Sequence, residues 1–259
     1  MRSGPAIATR ADQLRELLLD VGLADRVRVG APGSSPAGAP PVPGTHRTQG
    51  PQPTRTERPR TPGAEEEFSP DVLLRPHWRG NEGRLIELSG GLSSGKTALA
   101  QRMAAGATAR GELVGWVDLP NALDPRFLRR AGVRLEDVLW VRPPDLEAAL
   151  RAAELLVKTG FALLVLDLDG AAPRALAQLG PSVWTRLLRA LRQARATALL
   201  LGTQRAAGSF ATLGVAAARE RARFDRGLFE GLESRLDVLR NRSAASDGQS
   251  LSFAVHQRA

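Results

Sequence analysis

The sequence contains no cysteine and only three histidines among its 259 residues. The lack of cysteine excludes disulfides and thiolate metal sites, and three scattered histidines make a zinc site a poor interpretation. No stretch approaches 18 uninterrupted apolar residues, and the N-terminus lacks the basic-then-apolar layout of a secretory signal. We therefore expect a cytoplasmic protein with no membrane span.

Acidic residues are outnumbered: 27 Asp and Glu stand against 36 Lys and Arg, which gives a net charge of +9. Clustered guanidinium groups attract phosphate, so the excess indicates nucleic acid or an acidic partner surface. Almost all of the positive charge is arginine and alanine is abundant, as a GC-rich coding sequence would also produce. Both interpretations stay open at this point.

The first third of the chain predicts two appendages to one core. Residues 11–29 place Leu14, Leu17, Leu18 and Val21 on one helical face, which predicts a short helix over 11–21. Packing of this helix on the core of its own chain is the simplest interpretation, and packing on a neighbouring copy or on a partner stays open. Residues 31–62 hold half of the chain's 18 prolines and cannot bury enough apolar surface to offset their ordering entropy. We therefore predict a helical segment over 1–30, a flexible Pro-rich linker over 31–79 and a core over 80–259.

From residue 84 onward, short apolar runs alternate with helical patterns, which is typical of an α/β fold with a mostly parallel sheet flanked by helices. A hairpin of antiparallel strands is expected at the C-terminal end, with Asp247-Gly248 in its connection. The predicted strands are 85–88, 113–118, 138–141, 162–168, 198–201, 234–240 and 250–256. The predicted helices are 96–110, a short one near 126–131, 146–159 and roughly 183–195.

Residues 90–97 read GGLSSGKT and match the pattern G-x-x-x-x-G-K-[ST] in full, between a predicted strand and a predicted helix. In such a P-loop, glycines let backbone N–H groups face phosphate, and the helix N-terminus adds a favourable dipole. Lys96 would neutralise the β- and γ-phosphates, and Thr97 would ligand Mg²⁺. The motif predicts ATP and Mg²⁺ as cofactors, held by Gly90, Gly91, Ser93, Ser94, Gly95, Lys96 and Thr97.

The metal needs a second carboxylate at the end of a buried strand beside the loop. Asp167 follows five consecutive apolar residues in ALLVLDLDG and is the candidate. Asp169 is a weaker alternative. The competing interpretation, a carboxylate that merely ends a strand, is less favoured because the P-loop is present.

Several segments resemble the RecA family. The serine pair of GGLSSGKT, the stretch NALDPRFLRRAGVRLEDVLWVRP at 121–143 and GTQR at 202–205 are similar to RecA segments in the same order. The resemblance covers residues 80–259 and implies a RecA-like core. It further implies that Asp124 contacts the adenine amino group, that Phe127 stacks on the ring, and that Gln204 senses the γ-phosphate.

Pro120 is the most informative departure from that resemblance. In RecA a glutamate two residues after the strand-ending aspartate activates the attacking water, and VDLPNALDP has Pro120 in that place. Because proline has no proton acceptor, hydrolysis is expected to fall by orders of magnitude unless Asp118 substitutes as the base. Binding of ATP would survive this loss.

The segment after Gln204 also departs from RecA. We interpret it as an arginine-rich loop whose candidate DNA-binding residues are Arg205, Arg219, Arg221, Arg223 and Arg226. If the segment were a helix, three of these arginines (219, 223 and 226) would share a face. Two acidic residues, Glu220 and Asp225, dilute that stripe, so a solvated face is slightly favoured.

A RecA-like core with no such glutamate, C-terminal domain or short N-terminal arm resembles the ImuA family of bacterial mutagenesis proteins. That resemblance implies a DNA-damage (SOS) accessory role in translesion synthesis, through contacts with RecA or the ImuB polymerase homologue. Two alternatives stay open: an active recombinase that uses Asp118 as its base, and a DNA-binding module with a vestigial nucleotide site. Single-stranded DNA is a further candidate partner.

Overall fold

The computed structural model describes residues 27–29, 83–226, 228–242 and 250–256. The helix predicted at 11–21, the linker predicted at 31–79 and the Asp247-Gly248 connection lie outside the described residues. None of the described helices is long and apolar enough to cross a membrane.

In the part of the chain that the structure describes, nine strands form one sheet in the order β1-β4-β3-β5-β6-β2-β7-β8-β9. The neighbours from β4 to β7 along that order pair in parallel, and β1 joins β4 antiparallel. β8 pairs antiparallel with both β7 and β9. The strands are β1 Val27–Val29, β2 Arg84–Ser89, β3 Val114–Asp118, β4 Val138–Val141, β5 Leu163–Asp167, β6 Thr197–Gly202, β7 Leu213–Asp225, β8 Leu228–Asn241 and β9 Ser250–His256.

Within the described residues, five α-helices accompany the sheet, with 3-10 turns at Leu135–Asp137 and Gly208–Phe210. Each of α2, α4 and α5 begins at a proline, which suits the first helical position because its missing N–H would have no intrahelical partner there. The helices are α1 Lys96–Ala109, α2 Pro125–Arg130, α3 Leu146–Lys158, α4 Pro173–Ala177 and α5 Pro181–Ala194.

The central strands β2, β3, β5 and β6 are buried along their whole length. Their side chains alternate between two cores, as the pleat requires. One core lies under α3 and α5 and includes Leu85, Leu164 and Trp184. The other lies under α1 and includes Ile86 and Val165. A sheet covered on both faces explains why these strands read as continuous apolar runs in the sequence.

The central predictions are confirmed: the α/β class, the mostly parallel sheet, the C-terminal antiparallel pair and six of the seven predicted strands, whose ends shift by at most one residue. The strand predicted at 234–240 is longer, since β8 begins at Leu228. β1 and α4 were not predicted. β1 lies within the predicted segment 1–30 and nevertheless pairs with β4 of the core.

The arginine-rich segment after Gln204 is neither a loop nor a helix, because residues 213–225 form β7. The end of β2 lies opposite Ala216, and β7 continues beyond this point for nine more residues. At about 3.3 Å per residue this carries the strand roughly 30 Å beyond the sheet edge. We call residues 217–226, which are the outer part of β7 and the turn residue after it, together with 228–236 of β8, the ribbon.

The ribbon arginines do not share one face. A register shift between Arg219 and Arg221 places Arg219 opposite Ser234 and Arg221 opposite Glu233. Since Glu233 and Ser234 are consecutive residues of β8, they point to opposite sides, and so do the two arginines. Arg223 stays on the side of Arg221. The shared face considered for a helix is therefore wrong.

Candidate functional site at the carboxyl edge of the sheet

Four central strands end at one edge of the sheet. The P-loop follows β2, Asp118 ends β3, Asp167 ends β5 and Gly202 ends β6. Asp118 and Asp167 are partners in the parallel register, and Gly90 donates a backbone hydrogen bond of 3.0 Å to the carbonyl of Gly202. Ligand sites of parallel α/β sheets lie outside this edge.

The P-loop bends through backbone conformations that require small residues. Gly95 has a φ of 87° immediately before α1, and Ser93 has a φ of 58°. A Cβ on Gly90 would lie 2.3 Å from the carbonyl oxygen of Ala217, which the structure cannot accommodate, whereas a Cβ on Gly91 would meet nothing within 4 Å. The loop is therefore packed against β7 at its start and open at Gly91.

Lys96 is the first residue of α1 and is only 4% exposed. Its Nζ donates hydrogen bonds to the carbonyls of Gly90 at 2.8 Å and Gly91 at 3.2 Å. It also forms an ion pair with Asp169 Oδ2 at 2.8 Å. The ammonium group thus lies inside the P-loop with a carboxylate as its counter-ion. Thr97 follows it in the first turn of α1 and is exposed.

Asp167 is 7% exposed, and its Oδ1 accepts a backbone hydrogen bond from Asp169 at 3.0 Å. Burial raises the pKa of Asp167 to about 7, with smaller upward contributions from the charges of Asp169 and Asp118. The Asp169 N–H and the positive charge of Lys96 act in the opposite direction. A carboxyl group with these neighbours favours a cation or a proton.

Asp118 is buried, and both of its carboxylate oxygens accept hydrogen bonds. Oδ1 accepts from the backbone N–H of Ala122 at 3.0 Å, and Oδ2 accepts from Leu123 N at 3.1 Å and Trp140 Nε1 at 3.0 Å. These bonds hold the turn that follows β3. Asp118 would have to give up some of these hydrogen bonds to act as the substitute base.

Asp124 is the N-cap of α2, and its Oδ1 accepts from the backbone N–H of Arg126 at 2.8 Å. The Arg126 side chain adds a hydrogen-bonded ion pair that lowers the pKa of Asp124. Phe127 is 46% exposed, and the Arg130 guanidinium lies 5.8 Å from its ring centroid. The aromatic face is accessible for stacking, while the Asp124 carboxylate already has partners.

Gln204 is exposed on the loop that follows β6. The next residues are held by Glu87, a carboxylate inside β2 that is 1% exposed. Glu87 accepts backbone hydrogen bonds from Ala206 at 2.6 Å and Ala207 at 2.7 Å, and a longer one from Gly208. Arg205 Nε lies 3.7 Å from the same carboxylate, so this candidate DNA-binding residue has an internal acidic partner.

Two contacts of this edge were not predicted from the sequence: the Glu87 anchor and the Asp169–Lys96 ion pair. Glu87 had a detectable signal, because a glutamate within the apolar run RLIEL must have buried partners. Asp169 was considered only as a metal ligand. The other candidate DNA-binding residues (Arg219, Arg221, Arg223 and Arg226) lie on the ribbon and are exposed, and Arg223 pairs with Glu233 at 3.4 Å.

The P-loop residues fit a triphosphate. Ser94 is 2% exposed and its hydroxyl, within the loop, has no hydrogen-bond partner. Backbone amides, a lysine and an unsatisfied hydroxyl form a donor set suited to phosphate oxygens. Among the described residues, no three histidine or acidic side chains converge to hold a metal ion.

Comparison with known proteins identifies the core. Residues 79–180 match the family described as the RecA N-terminal domain. Protein RecA 2 of Myxococcus xanthus is 45% identical over 91 residues, which are 35% of this chain and 25% of that relative. Protein RecA of Gluconobacter oxydans is 43% identical over 96 residues, 36% of this chain and 28% of the relative. The chain spans about a quarter of the length of these relatives, and it contains a RecA-like core.

Proposed function

We propose that this chain binds ATP with Mg²⁺ at the P-loop, hydrolyses it weakly or not at all, and acts as an accessory protein of the bacterial DNA-damage response. The observation that carries the proposal is Lys96 inside a RecA-like P-loop, in a chain that has Pro120 in the place of the expected glutamate. The parts of the proposal rest on separate observations and have separate tests.

Nucleotide binding is supported by the donor set of the P-loop. The Lys96 ammonium and the loop amides would hold the β- and γ-phosphates, and the dipole of α1 adds to the positive potential. Thr97 and Asp167 would ligand Mg²⁺, which neutralises phosphate charge when bound. Phe127 offers an aromatic face for adenine.

Weak hydrolysis is supported by Pro120 and by the contacts of Asp118. Pro120 lies beside Gly170, where a Cβ would be 3.8 Å from the proline Cβ, so the proline is at the edge where the strands β3 and β5 end. It has no group that accepts a proton from water. Asp118 accepts three hydrogen bonds and would have to break them to act as a base.

The accessory role is supported by the sequence resemblance to the ImuA family. A nucleotide-binding core with little turnover suits a protein whose bound nucleotide controls contacts with other proteins. RecA and an ImuB-like polymerase homologue are the proposed partners in translesion synthesis. The segments over 1–30 and 31–79 are proposed appendages of the core over 80–259 and are candidates for those contacts.

The nucleotide proposal is tested by measuring ATP binding and hydrolysis separately, with Mg²⁺ and with or without single-stranded DNA. We expect measurable binding and little turnover. Lys96→Ala should weaken binding by roughly tenfold or more, because it removes the charged donor to the phosphates. The matched control is Lys158→Ala, which removes the chain's other lysine from the exposed end of α3. Robust DNA-stimulated turnover abolished by Lys96→Ala would instead establish an active ATPase.

The partner proposal is tested by titrating the purified full chain with RecA and, separately, with the ImuB-like protein encoded nearest to it. We expect saturable binding to at least one of them that strengthens when ATP and Mg²⁺ are present. Filaments or strand exchange by this chain alone would refute the accessory role in favour of a recombinase.

A second candidate function, binding of single-stranded DNA, is favoured by the exposed ribbon. Arg219, Arg221 and Arg226 are exposed there, and Phe224 and Phe229 present exposed rings at its end. Arginines with aromatic platforms suit single-stranded nucleic acid. Replacing Arg219 and Arg221 by alanine should weaken binding and flatten its salt dependence. If affinity and salt slope are unchanged, the ribbon does not bind DNA.

A further inference from the structure

Asp169 occupies a position that connects two parts of the site. It lies two residues after the strand-ending Asp167, and its side chain is about one-fifth exposed at the open edge. Its Oδ2 is 2.8 Å from Lys96 Nζ, and its Oδ1 accepts a hydrogen bond from Thr203 Oγ1 at 3.1 Å. The carboxylate therefore bridges the P-loop lysine and the residue that precedes Gln204.

Each of these contacts uses a group that a triphosphate would need. The Lys96 ammonium contacts three oxygen groups: the carbonyl oxygens of Gly90 and Gly91 and the carboxylate of Asp169. An ammonium has three donors, so these contacts fill its hydrogen-bonding capacity. Of the three, Asp169 is the charged one, and it holds the lysine by the same attraction that a phosphate oxygen would use.

We propose that Asp169 determines nucleotide affinity as a built-in competitor of phosphate: it pairs with Lys96, and the nucleotide must displace it to bind. This proposal rests on the proposed nucleotide site. Bound phosphates would meet the negative charge of Asp169 unless that side chain turns away, so natural affinity is lower than the P-loop alone would give. Thr203 holds the carboxylate in place from the opposite side.

The alternative role for Asp169 is that of a metal ligand. The two roles predict opposite changes in nucleotide affinity when the carboxylate is removed. Removing a competitor strengthens nucleotide binding, whereas removing a metal ligand weakens it. The variant Asp169→Asn keeps the size and a hydrogen-bonding oxygen for Thr203, and it removes the charge that attracts Lys96. Asp169→Glu keeps the charge and serves as the conservative variant.

The experiment measures the affinity of the full chain for ATP and for inorganic tripolyphosphate, both with Mg²⁺, by titration calorimetry. We expect Asp169→Asn to bind both ligands about tenfold more tightly than the natural chain, because each must displace the carboxylate. Asp169→Glu should stay within about threefold of the natural chain, since it restores the competing charge. A merely structural role would not strengthen the binding of a bare polyphosphate and of ATP alike.

The control variant is Glu112→Gln. It removes one negative charge from an exposed residue that pairs with Arg110 and precedes β3, at the opposite edge of the sheet from the P-loop. We expect its affinities to equal those of the natural chain. If Glu112→Gln tightened binding as much as Asp169→Asn, net charge would be the cause and the competitor role would be overturned.

The remaining outcomes separate this inference from the proposed function. Equal or weaker binding by Asp169→Asn, with binding by the natural chain, overturns the competitor role and leaves the nucleotide site standing. Binding by Asp169→Asn alone supports the competitor role and refutes nucleotide binding by the natural chain. If neither protein binds ATP, releasing Lys96 is not sufficient for binding, and both proposals are wrong.

Discussion

The carboxylate of Glu87 accepts a hydrogen bond from the backbone nitrogen of Ala207 at 2.7 Å. Glu87 lies in β2, which leads into the P-loop, and Ala207 lies in the segment that follows Gln204. A single buried side chain thus ties the phosphate-binding strand to the loop that carries the candidate γ-phosphate sensor. The contact joins residues 120 positions apart in the sequence.

This contact predicts a large cost for Glu87→Gln. The amide NH₂ of glutamine would face backbone donors in place of a carboxylate oxygen, so at least one buried N–H loses its acceptor. We expect the free energy of unfolding to fall by about 2 kcal/mol or more. Urea denaturation followed by circular dichroism measures it. Arg205→Ala is the matched comparison, because it removes only the longer 3.7 Å ion pair and should cost far less.

A second prediction separates structure from catalysis at Asp118. Asp118→Asn should lower the free energy of unfolding by about 2 kcal/mol, because the carboxylate accepts from two backbone N–H groups and from Trp140. Trp140→Phe removes one donor and leaves an acceptor unfilled, so we expect about 1 kcal/mol. Any residual ATP turnover per folded molecule should be unchanged by Asp118→Asn. Lost turnover with unchanged stability would restore Asp118 as a base.

The central strands could be predicted from sequence because a strand that is buried on both faces needs an uninterrupted run of apolar residues. LLVLD of β5 and TALLLG of β6 contain almost no polar residue. The P-loop could be predicted because its backbone shape demands glycine at fixed positions, and Gly95 indeed has a positive φ. Each of these two features therefore has a signal within a few consecutive residues of the sequence.

The ribbon could not be predicted because its outer half is solvated on both sides. Charged residues from Arg219 to Arg226 remove the apolar alternation that identifies a strand, and the register shift after Arg219 breaks what alternation remains. The contacts that Glu87 and Asp169 make could not be predicted from the sequence either. Both contacts depend on which strand ends meet at the sheet edge, and a single sequence does not specify that.

A third prediction restores the missing proton acceptor. If the lack of a base at Pro120 limits hydrolysis, Pro120→Glu should raise ATP turnover by roughly a hundredfold, the lower end of the range for general bases. Pro120→Gln controls for the loss of proline and for side-chain length, and it should leave turnover low. The turnover of the natural chain and of both variants is measured as phosphate release at saturating ATP and Mg²⁺. Equal turnover in the glutamate and glutamine variants would mean that another step limits hydrolysis.

The last prediction follows from the pKa of Asp167, which burial raises from 3.8 to about 7. Between these two values the folded protein keeps a proton that the unfolded chain has already lost. The folded state binds more protons in that window, so its stability falls as the pH rises from about 4 to 7. Asp167→Asn cannot take up or lose this proton and should not show that loss.

The difference in unfolding free energy between Asp167→Asn and the natural chain should therefore grow in favour of the variant as the pH rises from 5 to 7. The limiting slope for one proton is about 1.4 kcal/mol per pH unit. Urea denaturation at pH 5, 6, 7 and 8, without nucleotide or Mg²⁺, measures the difference. The control is Glu147→Gln, at an exposed residue paired with Arg151. Its free energy of unfolding should change with pH in parallel with that of the natural chain. Parallel curves for Asp167→Asn as well would mean that Asp167 is ionised throughout this range, and the electrostatic account of the site edge would then be wrong.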